Sequence, residues 1–247
     1  MTPMRGMNRW ADKTAVVTGA GSAVGAGVAA ALAGEGMRVV ALDSKEEEAI
    51  TEALNKLKYT SDVTARQCDV SDLSQLTHTF RWLDQHHGGV HVLVSLTGLV
   101  EPSQITGFVF DSPGEEASES QGTDVETDPV LLCARHAVVS MLKNEIDGHI
   151  INVNSIYCRS KGAGCTETLN QELARLKNNK IKVTSISPGS VSSKLPASTA
   201  DDVVTDSDPS PVLEPADIAH AVLFALSTSP HANVHELNIA SVAERRL

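Results

Sequence analysis

The sequence predicts an α/β fold: one doubly wound, parallel sheet of about seven strands, flanked by helices on both faces and built as a single domain over residues 1–247. Three observations predict it. Short runs such as TAVVT, MRVVAL and HVLVSL are apolar throughout instead of alternating, which suits strands covered on both faces. Helical runs separate them at regular intervals. A glycine-rich turn joins the first strand to the first helix.

The elements follow in order. Thr14–Thr18 is the first strand and Ala23–Ala33 an Ala/Val/Leu helix. Met37–Leu42 is the second strand. Ser44 with Glu47 reads as a capping box for a helix through Lys58, with Ile50, Leu54 and Leu57 on one face and Glu46–Glu48 as its solvated first turn. Thr64–Cys68 is the third strand, Asp72 caps a helix to about His87, and His91–Leu96 is the fourth strand. Residues Asp111–Asp128 are acidic and nearly free of large apolar side chains, which predicts a loop or insertion. Asp128-Pro129 then opens a helix to about Leu142, with Leu132, Val139 and Leu142 as packing residues. His149–Asn154 is the fifth strand, Leu169–Lys177 a helix, and Ile181–Ser187 the sixth strand, stopped by Pro188-Gly189. A Ser/Asp/Pro-rich loop over Ser190–Pro211 precedes a helix opened by Pro215 and running to about Ser227, and His235–Ala240 closes the sheet.

Composition narrows the function. The chain has 247 residues, a net charge of −11 and 3% aromatic residues, which disfavours a nucleic-acid partner because Lys and Arg supply most of that affinity. No apolar run reaches the roughly 18–20 residues of a membrane span. Cys68, Cys133, Cys158 and Cys165 show no metal or redox spacing and read as buried free thiols of a cytoplasmic protein. The 9 histidines show no metal spacing either; His86 and His87 end a helix, and His136 reads as a packed or interface residue.

The chemistry begins at Thr18-Gly19-Ala20-Gly21-Ser22-Ala23-Val24-Gly25. Glycines permit a sharp turn and close approach to a diphosphate, and the following helix N-terminus offers N–H groups and partial positive charge. Asp43, 18 positions after Gly25 at the end of the second strand, suits the adenine-ribose hydroxyls and repels a 2′-phosphate. A Rossmann-type dinucleotide site with NAD favoured over NADP is therefore expected, Lys45 softening the preference.

On these residues the chain resembles the short-chain dehydrogenase/reductase family. TGAGSAVG resembles its TGxxxGxG turn, with Ala23 at the second glycine; Cys68-Asp69-Val70 resembles its adenine-side strand end; Gly98 stands at the last position of its NNAG; and Pro188-Gly189 with Val191 and Ser193 resembles the segment that closes on the nicotinamide. Asn8-Arg9-Trp10, DGHIINVNS, TETLNQEL, KIKVTSISPG and HELNI are similar to its insect farnesol dehydrogenase-like and SDR-member-11-type branch. The resemblance implies hydride transfer between a nicotinamide and a small lipophilic alcohol or carbonyl compound, farnesol-like or steroid-like, by a homodimer or homotetramer. It also implies cofactor contacts from Thr18, Gly19, Gly21, Ser22, Val24, Gly25, Asp43, Asp69, Val70, Gly98, Pro188, Gly189, Val191 and Ser193.

For catalysis the resemblance implies Ser155 holding the substrate oxygen, Tyr157 as acid–base and Lys161 favouring the phenolate, since a free Tyr titrates near ~10. Only Ile156 separates Ser155 from Tyr157, where the family places roughly a dozen residues. Two alignments stay open: either Tyr157 and Lys161 are the pair and the pocket loop is deleted, or the segment bearing the true pair is missing. Gly162 and Gly164 weaken a helix there by about 1 kcal/mol each. Ser95-Leu96-Thr97 in place of the family's other NNAG residues, and Glu126 at its relay Asn, leave a second reading: a nucleotide-binding pseudoenzyme or scaffold, dimerising through the helices after Pro129 and Thr166.

Overall fold

The computed structural model describes residues 5–57, 62–96, 108–109, 118–119, 129–154, 159–176, 180–192 and 212–242. A 3-10 turn at Met7–Trp10 precedes β1 (Thr14–Thr18), α1 (Ala23–Gly34), β2 (Arg38–Asp43), α2 (Glu47–Asn55), β3 (Val63–Gln67), α3 (Leu73–His87) and β4 (Val92–Ser95). Then come β5 (Phe108–Val109), β6 (Ser118–Glu119), α4 (Pro129–Lys143), β7 (His149–Val153), α5 (Arg159–Arg175), β8 (Lys182–Pro188), α6 (Pro215–Ser227) and β9 (Glu236–Ile239).

Seven strands form one sheet in the order β3-β2-β1-β4-β7-β8-β9. Every neighbouring pair is parallel. The expected doubly wound α/β sheet is the observed one. The strand order reverses between β1 and β4, and in such sheets ligands bind outside the carboxyl ends of the strands at that point.

Each face of the sheet has its own core. Ala15, Val17, Val39, Ala41, Val92, Val94, Ile151 and Ile186 pack with α1, α2 and α6. Val16, Val40, Leu42, Leu93, Ile150 and Val183 pack with α3, α4 and α5. Successive strand residues point to opposite faces, so a strand buried between two helical layers is apolar at every position; all five residues of β1 are buried. Helix α1 is apolar nearly all round because it lies between the sheet and α6.

Capping decides several helix ends. Asp72 accepts from Ser74 N (2.8 Å) and Gln75 N (3.1 Å), the expected N-cap of α3, and Gly88 ends that helix at φ 69°, a conformation glycine adopts without strain. Glu214 and Asp217 form a reciprocal capping box around Pro215 at the start of α6.

Some expectations fail. The capping box of Ser44 and Glu47 does not form: Glu46 is the N-cap of α2, without a side-chain bond. The Glu47 carboxylate instead accepts from Gln67 N (3.4 Å), and Ser44 O accepts from Gln67 Nε2 (3.0 Å), so both face β3. Helix α2 ends at Asn55 instead of Lys58; Leu57 lies beyond it, packed on the core edge. Val139 and Leu142 are exposed, 56% and 48%, whereas Leu132 is buried. The rotation of α4 is set by Leu131, Cys133, Ala134, Ala137, Val138 and Met141, which face the sheet. Helix α5 begins at Arg159, not Leu169, and continues through Gly162 and Gly164. Within the stretch expected as a loop, Ser118–Glu119 pairs antiparallel with Phe108–Val109; the rest of 111–128 lies outside the described residues. His136 is packed, with Nδ1 2.8 Å from Leu132 O and Nε2 3.2 Å from Thr77 Oγ1. Cys68 and Cys133 are buried free thiols.

The opposite, N-terminal edge of the sheet holds two histidines in their neutral form. Burial, with Lys13 and Arg38 nearby, pushes His91 down to about 4, and its Nδ1 accepts from Thr14 N (3.3 Å). Burial, with Lys182 and Arg9 nearby, holds His149 well below the usual histidine range. An unfolded chain takes up these protons near pH 6.5, so the folded state gains stability above that pH and loses it as pH falls toward 4. The thermal midpoint is expected to drop by several °C between pH 6.5 and 4, since 1 kcal/mol is about 2–4 °C at this size. Calorimetry of His91→Gln checks the cause: its profile should be flatter than that of the parent, and parallel profiles would acquit His91.

Candidate cofactor and active site

The turn after β1 is built by its own backbone. Gly19 sits at φ 66°, and its carbonyl accepts from Ser22 N (3.1 Å) and Ser22 Oγ (2.7 Å). Ser22 Oγ also accepts from Gly25 N (3.0 Å), which makes Ser22 the N-cap of α1. Ala23 and Val24, the first two helical residues, have no intrahelical acceptor for their N–H groups. Gly25 is held against the turn: a Cβ there would lie 2.2 Å from Gly19 O. Ala23, the departure from the family's second glycine, is buried.

Thr18 is fully buried, and its hydroxyl accepts from Leu96 N (3.2 Å), joining the ends of β1 and β4 at the switch point. Asp43 ends β2 beside the turn. Its Oδ2 accepts from Gly21 N (2.8 Å) and its Oδ1 from Lys45 N (3.1 Å). Lys45 Nζ donates back to Gly21 O (3.0 Å). A carboxylate has about four lone-pair sites, so Asp43 retains acceptors for hydroxyl groups.

Ser22, Val24, Pro188, Gly189 and Val191 line one cavity of about 290 Å³ at the switch point. Leu96, Val153, Asn154 and Ile218 complete its wall, and sequence reasoning missed all four. Ile218 comes from α6, nearly two hundred positions from Ser22, and no local pattern links them. Asn154 had a usable signal, its place before Ser155; it is fixed by Nδ2 donating to Ser185 Oγ (2.9 Å) and N donating to Ile186 O (2.8 Å). Gly189 N donates to Ile239 O (2.7 Å), and Val191 bridges to Leu213, so the segment after β8 is tied to the sheet and to the approach to α6.

Asp69 and Val70 follow β3. Asp69 Oδ1 accepts from Ser71 N (2.9 Å) and Ser71 Oγ (2.5 Å), which holds its carboxyl below the usual carboxylate range. Its Oδ2 makes no bond among the described residues. Val70 is buried. Ser155, Tyr157, Gly98 and Ser193 lie outside the described residues. Lys161 lies in the first turn of α5, its side chain outside the description, and Tyr157 precedes the first helical residue by two positions. Asn152 Nδ2 donates to Thr166 Oγ1 (3.1 Å), pinning α5 to β7.

The open N–H groups, the left-handed Gly19 and the acceptors left on Asp43 fit the diphosphate and ribose of a dinucleotide. Comparison with known proteins agrees. A family model for short chain dehydrogenases matches residues 13–203. The chain is 38% identical over 259 residues to a farnesol dehydrogenase of Aedes aegypti, covering 97% of this chain and 100% of that one. It is 29% identical over 255 residues to dehydrogenase/reductase SDR family member 11 of Bos taurus, with 94% and 97% covered. A metagenomic short-chain oxidoreductase solved in complex with NADP shares the fold at a TM-score of 0.65 and 20% identity, covering 95% of this chain and 99% of that one. A short-chain type dehydrogenase/reductase from Mycobacterium marinum shares it at 0.69 and 21%, with 94% and 95% covered.

Two glycines of α1 give a contrast. Gly25→Ala forces a backbone shift at Gly19 O, and unfolding in urea should show a loss of about 2 kcal/mol or more. At Gly27 a Cβ would make an ordinary 3.5 Å contact with Pro215, so Gly27→Ala should be neutral or gain up to ~1 kcal/mol from helix propensity. Equal effects would contradict the close approach at Gly25.

Proposed function

This chain belongs to the short-chain dehydrogenase family, and from that premise we propose that it interconverts an alcohol and a carbonyl on a small lipophilic substrate with a nicotinamide dinucleotide. The observation that carries the reading is the Gly21–Asp43 bond beside the open N-terminus of α1, at the strand-order reversal. The relative named farnesol dehydrogenase supports a farnesol-like substrate. The whole chain, 1–247, is taken as one such domain of a cytoplasmic protein, in keeping with the buried thiols Cys68 and Cys133. The exposed Val139 and Leu142 of α4 support a homodimer or homotetramer.

The dinucleotide, when bound, supplies the hydride donor or acceptor. The chain's own residues do the rest. The Ala23 and Val24 N–H groups would hold its diphosphate, and Asp43 would accept from its adenine-ribose hydroxyls. Asp69 and Val70 would hold the adenine, and Pro188, Gly189 and Val191, which line the cavity, would hold the nicotinamide, with Gly98 and Ser193 as the further contacts that the family resemblance implies. Ser155 follows the anchored Asn154 and orients the substrate oxygen. Tyr157 moves a proton at that oxygen, and the Lys161 ammonium favours its phenolate. The Asn152–Thr166 bond keeps the helix bearing Lys161 against β7.

Asp43 makes NAD the preferred form, because a 2′-phosphate would meet its carboxylate; Lys45 moderates the difference. Fluorescence titration should give a dissociation constant about tenfold or more lower for NADH than for NADPH. Asp43→Asn should narrow that ratio, and an unchanged ratio would remove Asp43 as its source.

Tyr157→Phe tests the chemistry. Turnover of a farnesol-like alcohol or its aldehyde should fall by about 10²–10⁴-fold while NADH binding persists. Unchanged turnover would remove Tyr157 from the mechanism. The single residue between Ser155 and Tyr157 favours a second reading, a nucleotide-binding scaffold. Thermal stabilisation by NADH with no turnover by the parent protein of any alcohol or carbonyl tried would select it.

A further inference from the structure

The edge of the sheet opposite the glycine turn carries two adjoining cavities, of about 470 and 520 Å³, which share Arg9, Asp147 and Pro230 in their walls. Arg9 is half-buried, with its guanidinium carbon 4.3 Å from the centre of the Trp10 ring. Its Nε is buried without an acceptor, and no hydrogen bond joins its guanidinium to any described residue. A guanidinium is a fork of five donors that matches oxyanions two at a time. Stacking on Trp10 fixes the plane of the fork before a ligand arrives.

The surroundings are cationic in a chain whose net charge is −11. Lys13 lines one cavity and Lys180 and Lys182 the other, against the carboxylates of Glu145 and Asp147. Lys180 Nζ lies 3.4 Å from Asp147 Oδ2, both ends well exposed. Helix ends account for part of this charge, since α3, α4 and α6 point their carbonyl ends toward this edge. Lys182 serves that purpose: its ammonium donates to Thr228 Oγ1 (2.7 Å) and Ala232 O (2.8 Å) just past α6. Arg9 does not, because it donates to no carbonyl among the described residues.

We propose that Arg9 anchors a binding site for the phosphate group of a small phosphorylated molecule at the N-terminal edge of the sheet, separate from the dinucleotide turn. The fork of Arg9 takes two phosphate oxygens, and the Lys180 ammonium leaves Asp147 for the third. A dianion suits the site better than a carboxylate because more than one cation faces the cavities. Asp147 stands where it can accept from a hydroxyl of the esterified part.

Inorganic phosphate is the probe, with chloride at equal ionic strength as the reference. In protein labelled with ¹⁵N-arginine, the Arg9 Nε resonance should move and saturate at millimolar phosphate, about the affinity expected of a lone phosphate. The thermal midpoint should rise by a few °C more than in chloride. Arg9→Gln should abolish that difference, and Lys180→Gln, at an exposed position that leaves folding intact, should weaken binding severalfold. An Arg9 resonance that chloride moves equally, or that does not saturate by ~50 mM phosphate, overturns the proposal. A midpoint rise that survives Arg9→Gln also overturns it, since the stabilisation would then not come from Arg9. A glycerol phosphate compared with free phosphate separates the sources: tighter binding of the ester supports a phosphorylated molecule, and tighter binding of the free ion overturns that part.

Discussion

The close approach of α1 to the backbone of Gly19 is the constraint on which the rest of the site depends. Only hydrogen atoms fit on Gly25 at that point, because a Cβ would sit 2.2 Å from the Gly19 carbonyl oxygen. The helix therefore starts immediately after the turn that follows β1, and its first N–H groups, which have no intrahelical acceptor, lie at the strand-order reversal, where Ser22 and Val24 line the cavity. Ser22 closes the arrangement from inside the turn, bonding Gly19 on one side and Gly25 on the other. A looser turn would move those donors away from the position where Asp43 meets Gly21.

The sheet converts this local geometry into a pocket. Because all seven strands are parallel, their carboxyl ends lie on one edge, and the residues just past β4, β7 and β8 meet there without being close in sequence. Leu96, Asn154 and Gly189 are each fixed by a hydrogen bond to a neighbouring strand or its end. Helix α6 then folds back over α1, with Pro215 against Gly27, and delivers Ile218 to the pocket wall. The two cores stabilise this edge from both faces, so the polar groups of the site rest on residues that are apolar and buried.

The other edge follows a different logic. Parallel strands alternating with helices gather helix carbonyl ends there, and cations collect to meet them. Most of these groups find partners, as Lys182 does at the end of α6. Arg9 stacks on Trp10 and feels the Asp147 carboxylate, but its Nε meets no acceptor among the described residues. The same edge holds His91 and His149 neutral through burial, so these two rings add nothing to the charge that Arg9, Lys13 and Lys180 bring to it.

The strand runs, the Asp72 and Pro215 helix starts and the glycine turn were legible because each depends on neighbours within a few positions: burial on both faces, a cap, a sharp bend. So were the residues on the cofactor side that the turn and the segment after β8 bring together, Ser22, Val24, Pro188, Gly189 and Val191. What the sequence could not settle depends on choices between competing partners. Ser44 and Glu47 had the spacing of a capping box, but the helix starts two residues later, with Glu46 as N-cap, and the Glu47 carboxylate turns to the backbone of Gln67 on β3, so a tertiary bond replaced the local one. Val139 and Leu142 had apolar side chains at helical spacing, but the sheet faces a different stripe of α4, and rotation about a helix axis is set by what it packs on. Gly162 and Gly164 argued locally against helix, yet α5 runs through them, held at Thr166 by Asn152 and further on by Leu169 and Leu173 in the core. Hydrogen bonds and packing between residues far apart in sequence leave no local signature, which is why Asn154 and Ile218 entered the pocket only when the chain was folded.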